Sequence, residues 1–127
     1  MAKNVAEQLV DTLEKAGVKR IYAVTGDSLN EVNEAVRKSG KIKWIHVRHE
    51  ETGAFAAAAE AQLNGELACC AGSSGPGHVH LINGLYDAQR SGAPVLAIAS
   101  TLPTHEFGTE YFQETNTIKL FEDCSYY

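Results

Sequence analysis

Apolar positions along the chain switch repeatedly between helical and strand spacing. Val5, Leu9, Leu13 and Ala16 recur every three or four residues, and Gly17 supplies a stop, which predicts a first helix. Arg20 to Thr25 reads as a short strand that turns at Gly26-Asp27-Ser28. Asp27 or Ser28 then suits the cap of a second helix, with Leu29, Val32 and Val36 as its apolar face and Gly40 near its end. Ile42 to Val47 is a second strand. A third helix runs from about Glu50 to Gln62, with a turn at Asn64-Gly65. Leu67 to Ala71 is a third strand, and it enters the loop Gly72-Ser73-Ser74-Gly75-Pro76-Gly77. A helix is predicted beyond that loop, from about Val79 to Arg90. Gly92 breaks it, Pro94 to Ser100 is a fourth, apolar strand, and a last short helix spans about Asn116 to Phe121.

Repeated strand–helix–strand units need crossovers, so the expected fold is α/β, a parallel sheet flanked by helices on both faces. No linker, repeat or low-complexity tract divides the chain, and residues 1–127 are expected to form one domain. Residues 101–115 make an irregular segment of a length that usually serves function. The ending Cys124-Ser125-Tyr126-Tyr127 resembles the start of another element, as expected of a chain cut from something longer.

Composition narrows the partners. A hydrophobic content of 44% fits a globular chain, and a formal charge of −5 without a Lys/Arg cluster argues against nucleic acid. No apolar run approaches a membrane span, and Met1-Ala2-Lys3-Asn4 does not begin a signal peptide, so the expected location is the cytoplasm. Cys69, Cys70 and Cys124 lack metal-ligand spacing. The first two should point to opposite faces of a strand as inert buried thiols.

The candidate chemistry lies at strand ends, where α/β folds hold ligands. Arg48-His49-Glu50-Glu51 joins a strand to the alanine-rich run Ala54 to Ala59. An acid in a helix's first turn is favoured by the dipole, which explains Glu51 and is open to Glu50 as well. Gly75-Pro76-Gly77 fails as a dinucleotide fingerprint, because His80 stands where a third glycine belongs. Gly72-Ser73-Ser74-Gly75 fails as a nucleophile elbow at Pro76, and no Walker loop is present. A stiff turn remains, with glycines that admit close backbone approach to a ligand. His78 and His80 are about 200° apart around a helix, and His46 and His49 straddle a strand end, so neither pair suits a shared ion and no metal site is expected. An acid and two shaped loops, the second carrying Tyr111-Phe112-Gln113-Glu114, describe a pocket for a flat, polar heterocycle.

Gly26-Asp27-Ser28-Leu29-Asn30, Arg48-His49-Glu50, Gly72-Ser73-Ser74-Gly75-Pro76-Gly77 and Phe112-Gln113-Glu114 together resemble the N-terminal pyrimidine-binding domain of thiamine diphosphate-dependent enzymes. The likeness covers essentially the whole chain, in family order and spacing, and leans toward pyruvate oxidase and quinone-linked pyruvate dehydrogenase. It implies an enzyme of three domains, of which this is the first. A central FAD domain and a C-terminal domain holding the diphosphate and Mg²⁺ through Gly-Asp-Gly and Asn-Asn motifs would lie elsewhere, and those motifs do not occur here. The resemblance implies that Glu50 hydrogen-bonds the pyrimidine N1′ in a low-dielectric site, making the cofactor's own amino group basic enough to take the thiazolium C2 proton. By the same match Gly26, Ser73, Pro76 and His80 line the pyrimidine pocket and Gln113 faces the reacting carbons. His80 favours the oxidase branch, since the acetolactate-synthase branch tends to have Asn there. His105 could approach substrate as a histidine of the decarboxylase branch does, although Thr104 breaks that branch's His-His pair.

The function implied is oxidative decarboxylation of pyruvate, with the isolated chain inactive. Homo-oligomers are expected through the helices beside the cofactor, namely the run Ala54 to Ala59 and the helix bearing Leu81, Leu85 and Tyr86. Peripheral membrane contact is implied only for a full-length, quinone-linked enzyme. Acetolactate synthase, another 2-oxo-acid decarboxylase, or a free-standing Rossmann-like binding module are the competing readings.

Overall fold

The computed structural model describes residues 2–126; Met1 and Tyr127 lie outside the described residues. Four parallel strands form one sheet: β1 (Arg20–Ala23), β2 (Lys43–His46), β3 (Ala68–Gly72) and β4 (Val95–Ala99). Their order is β2-β1-β3-β4. The expected α/β architecture is therefore present; β1, β2 and β4 are two residues shorter than the apolar runs suggest, and β3 is shifted one residue onward.

Helices cover both faces. On one, α1 (Val5–Lys15) and α2 (Asn30–Ser39) bury Val10, Leu13, Ala35 and Val36 against Ile21, Ala23, Cys69 and Ala71. On the other, α3 (Glu50–Asn64), α5 (Ile82–Arg90) and α6 (Thr117–Phe121) bring Ala54, Ala57, Ala61, Leu85 and Phe121 onto Ala68 and Cys70. Cys69 and Cys70 thus face opposite cores, as strand alternation requires. Both thiols are free and fully buried, and burial raises Cys69 to about 12 and Cys70 higher still. Among the described residues no helix is long and apolar enough to cross a membrane.

Local signals account for most boundaries. Asn4 caps α1 and Glu7 returns the bond to the Asn4 N–H, a reciprocal pair that fixes the start. Gly40 and Gly65, both left-handed, close α2 and α3. The small side chains of α3 let α5 come close: a Cβ at Gly84 would lie 2.4 Å from the Cβ of Ala54.

Several expectations need correction. Of the stripe expected on α1, Leu13 is buried and Leu9 packs partly against the core, whereas Val5 and Ala16 are exposed and Ala6 and Val10 are buried in their stead. Neither Asp27 nor Ser28 caps α2 with a side chain, because a 3-10 turn over Asp27–Leu29 runs straight into it and Ser28 is engaged elsewhere. The predicted helix Val79–Arg90 is two pieces, α4 (Pro76–Val79) and α5, separated at His80-Leu81. Glu122, Asp123 and Cys124 form a turn after α6, and Tyr127 lies outside the described residues. Within the segments expected at subunit contacts, Ala54, Ala57, Ala58, Leu81 and Leu85 are buried within the chain while Phe55 and Ala59 are exposed; Leu63 on α3 and Val79 on α4 are exposed as well.

Strand order fixes where a ligand can sit. From β1 the chain crosses to β2 on one side, while β3 leads to β4 on the other. The carboxyl ends of β1 and β3 therefore flank the crevice at which the winding reverses.

Candidate pyrimidine site at the carboxyl edge of the sheet

Three loops meet at that crevice. Gly26 follows β1 in extended backbone, and a Cβ there would fall 2.4 Å from both Cβ and Oγ of Ser73. The loops after β1 and β3 are thus packed together at a contact only glycine permits. Ser28 completes the join: its Oγ accepts from the Ser74 N–H and lies 2.9 Å from the Ser73 Oγ, while the Ser100 hydroxyl donates to the Ser28 carbonyl. These long-range bonds use the hydroxyl that a helix cap would have used.

Glu50 is the first residue of α3, and its side chain is only 12% exposed. His49 caps the helix, its Nδ1 accepting from the Glu51 N–H at 3.3 Å. Glu50 Oε2 lies 2.9 Å from His80 Nδ1, so the imidazole N–H donates to the carboxylate. Its other oxygen, Oε1, lies beside Gly77, where a Cβ would come within 3.4 Å. Glycine at 77 leaves Oε1 accessible along the edge of the loop. Glu51 points elsewhere and accepts from Asn83 Nδ2 on α5 at 3.1 Å. The two adjacent acids are therefore separated in role, Glu51 tying α3 to α5 and Glu50 turned to the crevice.

The break between α4 and α5 directs two histidines in opposite senses. His80 returns to Glu50, and its ring stacks on His49 at 4.3 Å between centroids. His78 turns inward and is 1% exposed. Its Nδ1 is 2.8 Å from the Ser100 carbonyl, which can only accept, so Nδ1 carries the proton and Nε2 accepts from the Thr115 hydroxyl. Burial lowers the pKa of His78, in keeping with this neutral tautomer. His78 thereby fastens the segment bearing Gln113 to the end of β4.

That assignment predicts a pH dependence. With the folded value below 6.5, the unfolded chain takes up a proton on acidification that folded His78 excludes. Stability conferred above 6.5 is lost as pH falls from there through the folded value, at a slope of at most about 1.4 kcal/mol per pH unit. Urea unfolding of the parent and of His78→Asn from neutral to mildly acidic pH should show this component only in the parent. Parallel curves would mean that His78 takes up its proton alike in the folded and the unfolded chain.

Gln113 lies at the rim in a left-handed conformation, φ 66°, a strained choice for a residue with a side chain. The Ser74 hydroxyl donates to its Oε1 at 3.2 Å, and the backbone at Gly75 packs against it. Glu114 closes the loop on itself by accepting from the N–H groups of Gly108 and Tyr111. Of the residues the sequence nominates, Glu50 with His80, Gly26 with Ser73, and Gln113 through Ser74 are brought to one edge. Pro76 is exposed and starts α4. His105 lies on the exposed 3-10 turn Thr104–Glu106, facing Glu106 at 3.9 Å, and joins none of these contacts. Ser28, Ser74, His78 and Thr115 belong to the arrangement without having been singled out.

The edge suits a flat ring bearing hydrogen-bonding nitrogens: one oxygen of the Glu50 carboxylate is anchored by His80 and the other lies beside the backbone of Gly77 in a glycine-rich loop. Among the described residues, the ion pairs of this group involve only its histidines and no lysine or arginine. A cleft of about 570 Å³ lies farther along the loop, lined by Phe107, Tyr111 and Ile118 among others, and Glu50 does not line it.

Comparison with known proteins agrees with this geometry. The sequence model of the family described as thiamine pyrophosphate enzyme, N-terminal TPP binding domain, matches residues 3–120. An uncharacterized 42.6 kDa protein in the isoamylase 3′ region of Pseudomonas amyloderamosa is 61% identical over 123 residues, which is 97% of this chain and 31% of that protein. Pyruvate oxidase of Lactiplantibacillus plantarum is 42% identical over 120 residues, 94% of this chain and 20% of the enzyme. Chloroplastic acetolactate synthase 3 of Brassica napus is 36% identical over 115 residues, 91% of this chain and 18% of the enzyme. The chain spans less than a third of each of these relatives. With its strands, its crevice acid and a match over nearly its whole length, the chain belongs to the thiamine pyrophosphate enzyme family, as the N-terminal TPP-binding domain.

Proposed function

We propose that this chain holds the aminopyrimidine of thiamine diphosphate in an enzyme that oxidatively decarboxylates pyruvate, of the pyruvate oxidase or quinone-linked pyruvate dehydrogenase kind. The observation that carries the reading is Glu50, with Oε2 fixed by His80 and Oε1 open beside Gly77 at the switch-point crevice. When bound, thiamine diphosphate supplies a carbon nucleophile for the ketone of a 2-oxo acid and a sink for the electrons left when CO₂ departs.

The chain's own residues do the rest. Glu50 Oε1 meets the ring nitrogen N1′ and shares a proton with it, while His80 keeps the carboxylate from rotating away. The Gly72–Gly77 backbone is the shelf for the ring, and Gly26, Ser73 and Pro76 stand around it. Gln113, placed by Ser74 and Gly75, faces the reacting carbons and orients the substrate carboxylate or carbonyl through its amide. In this reading the diphosphate and Mg²⁺ are held by another part of the enzyme, with FAD on a further domain. The wider reading places the enzyme in the cytoplasm as a homo-oligomer, with the exposed Phe55, Leu63 and Val79 available for subunit contact and peripheral membrane association in a quinone-linked form.

Acetolactate synthase is the second reading, favoured by its 36% identity to this chain and opposed by the higher identity to pyruvate oxidase and by His80. The test is product analysis by the full-length protein supplied with thiamine diphosphate, Mg²⁺, FAD and pyruvate. Acetate or acetyl phosphate, with electrons passed to oxygen or quinone, is expected; acetolactate would sink the oxidase assignment. The 127-residue chain alone should turn over no pyruvate and should bind thiamine diphosphate weakly in calorimetry, because charge-assisted diphosphate contacts supply most of such affinity. Submicromolar binding by the isolated chain would contradict a divided cofactor site.

A further inference from the structure

We propose that His49, Glu50 and His80 form a site for a divalent transition-metal ion, best matched to zinc. Each residue offers one ligand atom, and these atoms all lie within 4.8 Å of one another. They come from three places: the residue before α3, the first residue of α3, and the break between α4 and α5. No spacing along the sequence reveals such a set. His46 with His49 and His78 with His80 are the pairs that chain order offers, and both are split, His78 facing inward while His80 meets His49 across the crevice.

The donor chemistry selects the ion. Two imidazoles and a carboxylate suit zinc and its neighbours, whereas Mg²⁺ and Ca²⁺ prefer oxygen alone. Three protein ligands with a fourth position open to water is the pattern of an accessible zinc site. Metal–ligand bonds of about 2.0–2.2 Å need the donor atoms to draw somewhat closer than they stand. The movable partners are the histidines, whose side chains are 47% and 41% exposed, while Glu50 at 12% is the fixed one. Binding exchanges the His80–Glu50 hydrogen bond and the long His49 cap for metal–ligand bonds, so affinity should be moderate.

Metal binding by this chain needs no cofactor and does not depend on the proposed function. One consequence does rest on that reading: zinc and the pyrimidine use the same carboxylate and must exclude each other.

The experiment is calorimetric titration of the chain with Zn²⁺, alongside visible absorption with Co²⁺. One equivalent should bind, and excess Mg²⁺ should leave the titration unchanged. Co²⁺ should give the intense d–d bands of a low-coordinate site. His80→Ala and Glu50→Gln should each weaken binding at least tenfold, as should His49→Asn, which retains an N-cap side chain. His105→Ala should bind as the parent does. Equal affinity in the parent, His80→Ala and His49→Asn overturns the proposal, and so does loss of binding in His105→Ala. Circular dichroism of each variant separates a lost site from a lost fold. If zinc binds as expected but does not compete with thiamine diphosphate in the full-length protein, the metal site stands and the placement of the pyrimidine on Glu50 falls.

Discussion

Glu50→Gln in the full-length enzyme is expected to slow hydrogen–deuterium exchange at C2 of bound thiamine diphosphate by about three orders of magnitude, or ~4 kcal/mol of barrier. Glutamine has the size of Glu50 and can still pair with His80, whose Nδ1 stands 2.9 Å from the carboxylate. Under the proposed function its amide would also reach the ring nitrogen, since Glu50 Oε1 stands beside Gly77. What it cannot do is share a proton there, and in the proposed function that sharing would make the cofactor's amino group basic. Affinity for the cofactor should change far less, because the diphosphate contacts lie on other parts of the enzyme under the proposed function. Glu51→Gln is the internal control. Glu51 leaves α3 toward α5, where it accepts from Asn83, and its replacement should leave exchange untouched. Loss of exchange in Glu51→Gln with exchange intact in Glu50→Gln would move the acid by one residue; no effect of either would remove proton sharing at this position from the mechanism.

The position of that acid was legible in the sequence because it depends on two local patterns, a strand ending near Val47 and an alanine-rich helix beginning at Glu50. The sheet was legible for the same reason: each strand is a short apolar run between turn residues. What the sequence did not show depends on partners far away in the chain. Ser28 looked like a helix cap, but its hydroxyl is bonded to Ser73 and Ser74, 45 and 46 residues on. No glycine or proline separates Val79 from Ile82, so the sequence predicts one helix from about Val79 to Arg90. The break at His80 accompanies two tertiary ties, His78 to Ser100 and Thr115 on one side and His80 to Glu50 on the other. Stacking of His49 on His80 is likewise a product of folding.

β4 shows the limit from another direction. Val95–Ala99 is wholly apolar, a composition typical of strands covered on both sides. Among the described residues it is an edge strand, half-buried along its length, while the opposite edge, β2, carries Lys43 and His46. Hydrophobic pattern identified the strand but not its rank in the sheet.

Gly75→Ala and Gly92→Ala are expected to differ by about 2 kcal/mol or more in unfolding free energy, although the two glycines have nearly the same φ, 65° and 66°. At Gly92 nothing lies within 4 Å of an added Cβ, so the cost is the left-handed backbone alone, about 1 kcal/mol. At Gly75 the Cβ would lie 2.7 Å from the Cβ of Gln113, 3.0 Å from its carbonyl oxygen and 3.1 Å from its Cα. These are backbone and near-backbone atoms, which cannot swing aside as a long side chain can. They are also held, since Ser74 bonds the Gln113 amide and His78 bonds Thr115 two residues on. Gly75 itself has ψ −118°, outside the ordinary left-handed well, which adds strain for alanine. The alanine variant must therefore lift the Gln113 loop or push the glycine loop toward Glu50. Urea unfolding of both variants measures the difference, and amide hydrogen exchange locates it. Protection at the Glu114 N–H, which donates to the Tyr111 carbonyl, should fall in Gly75→Ala and persist in Gly92→Ala. Equal costs, with protection retained in both, would show that the approach of Gln113 is not what requires glycine at 75, and the rigid placement of Gln113 at the rim would lose its physical basis.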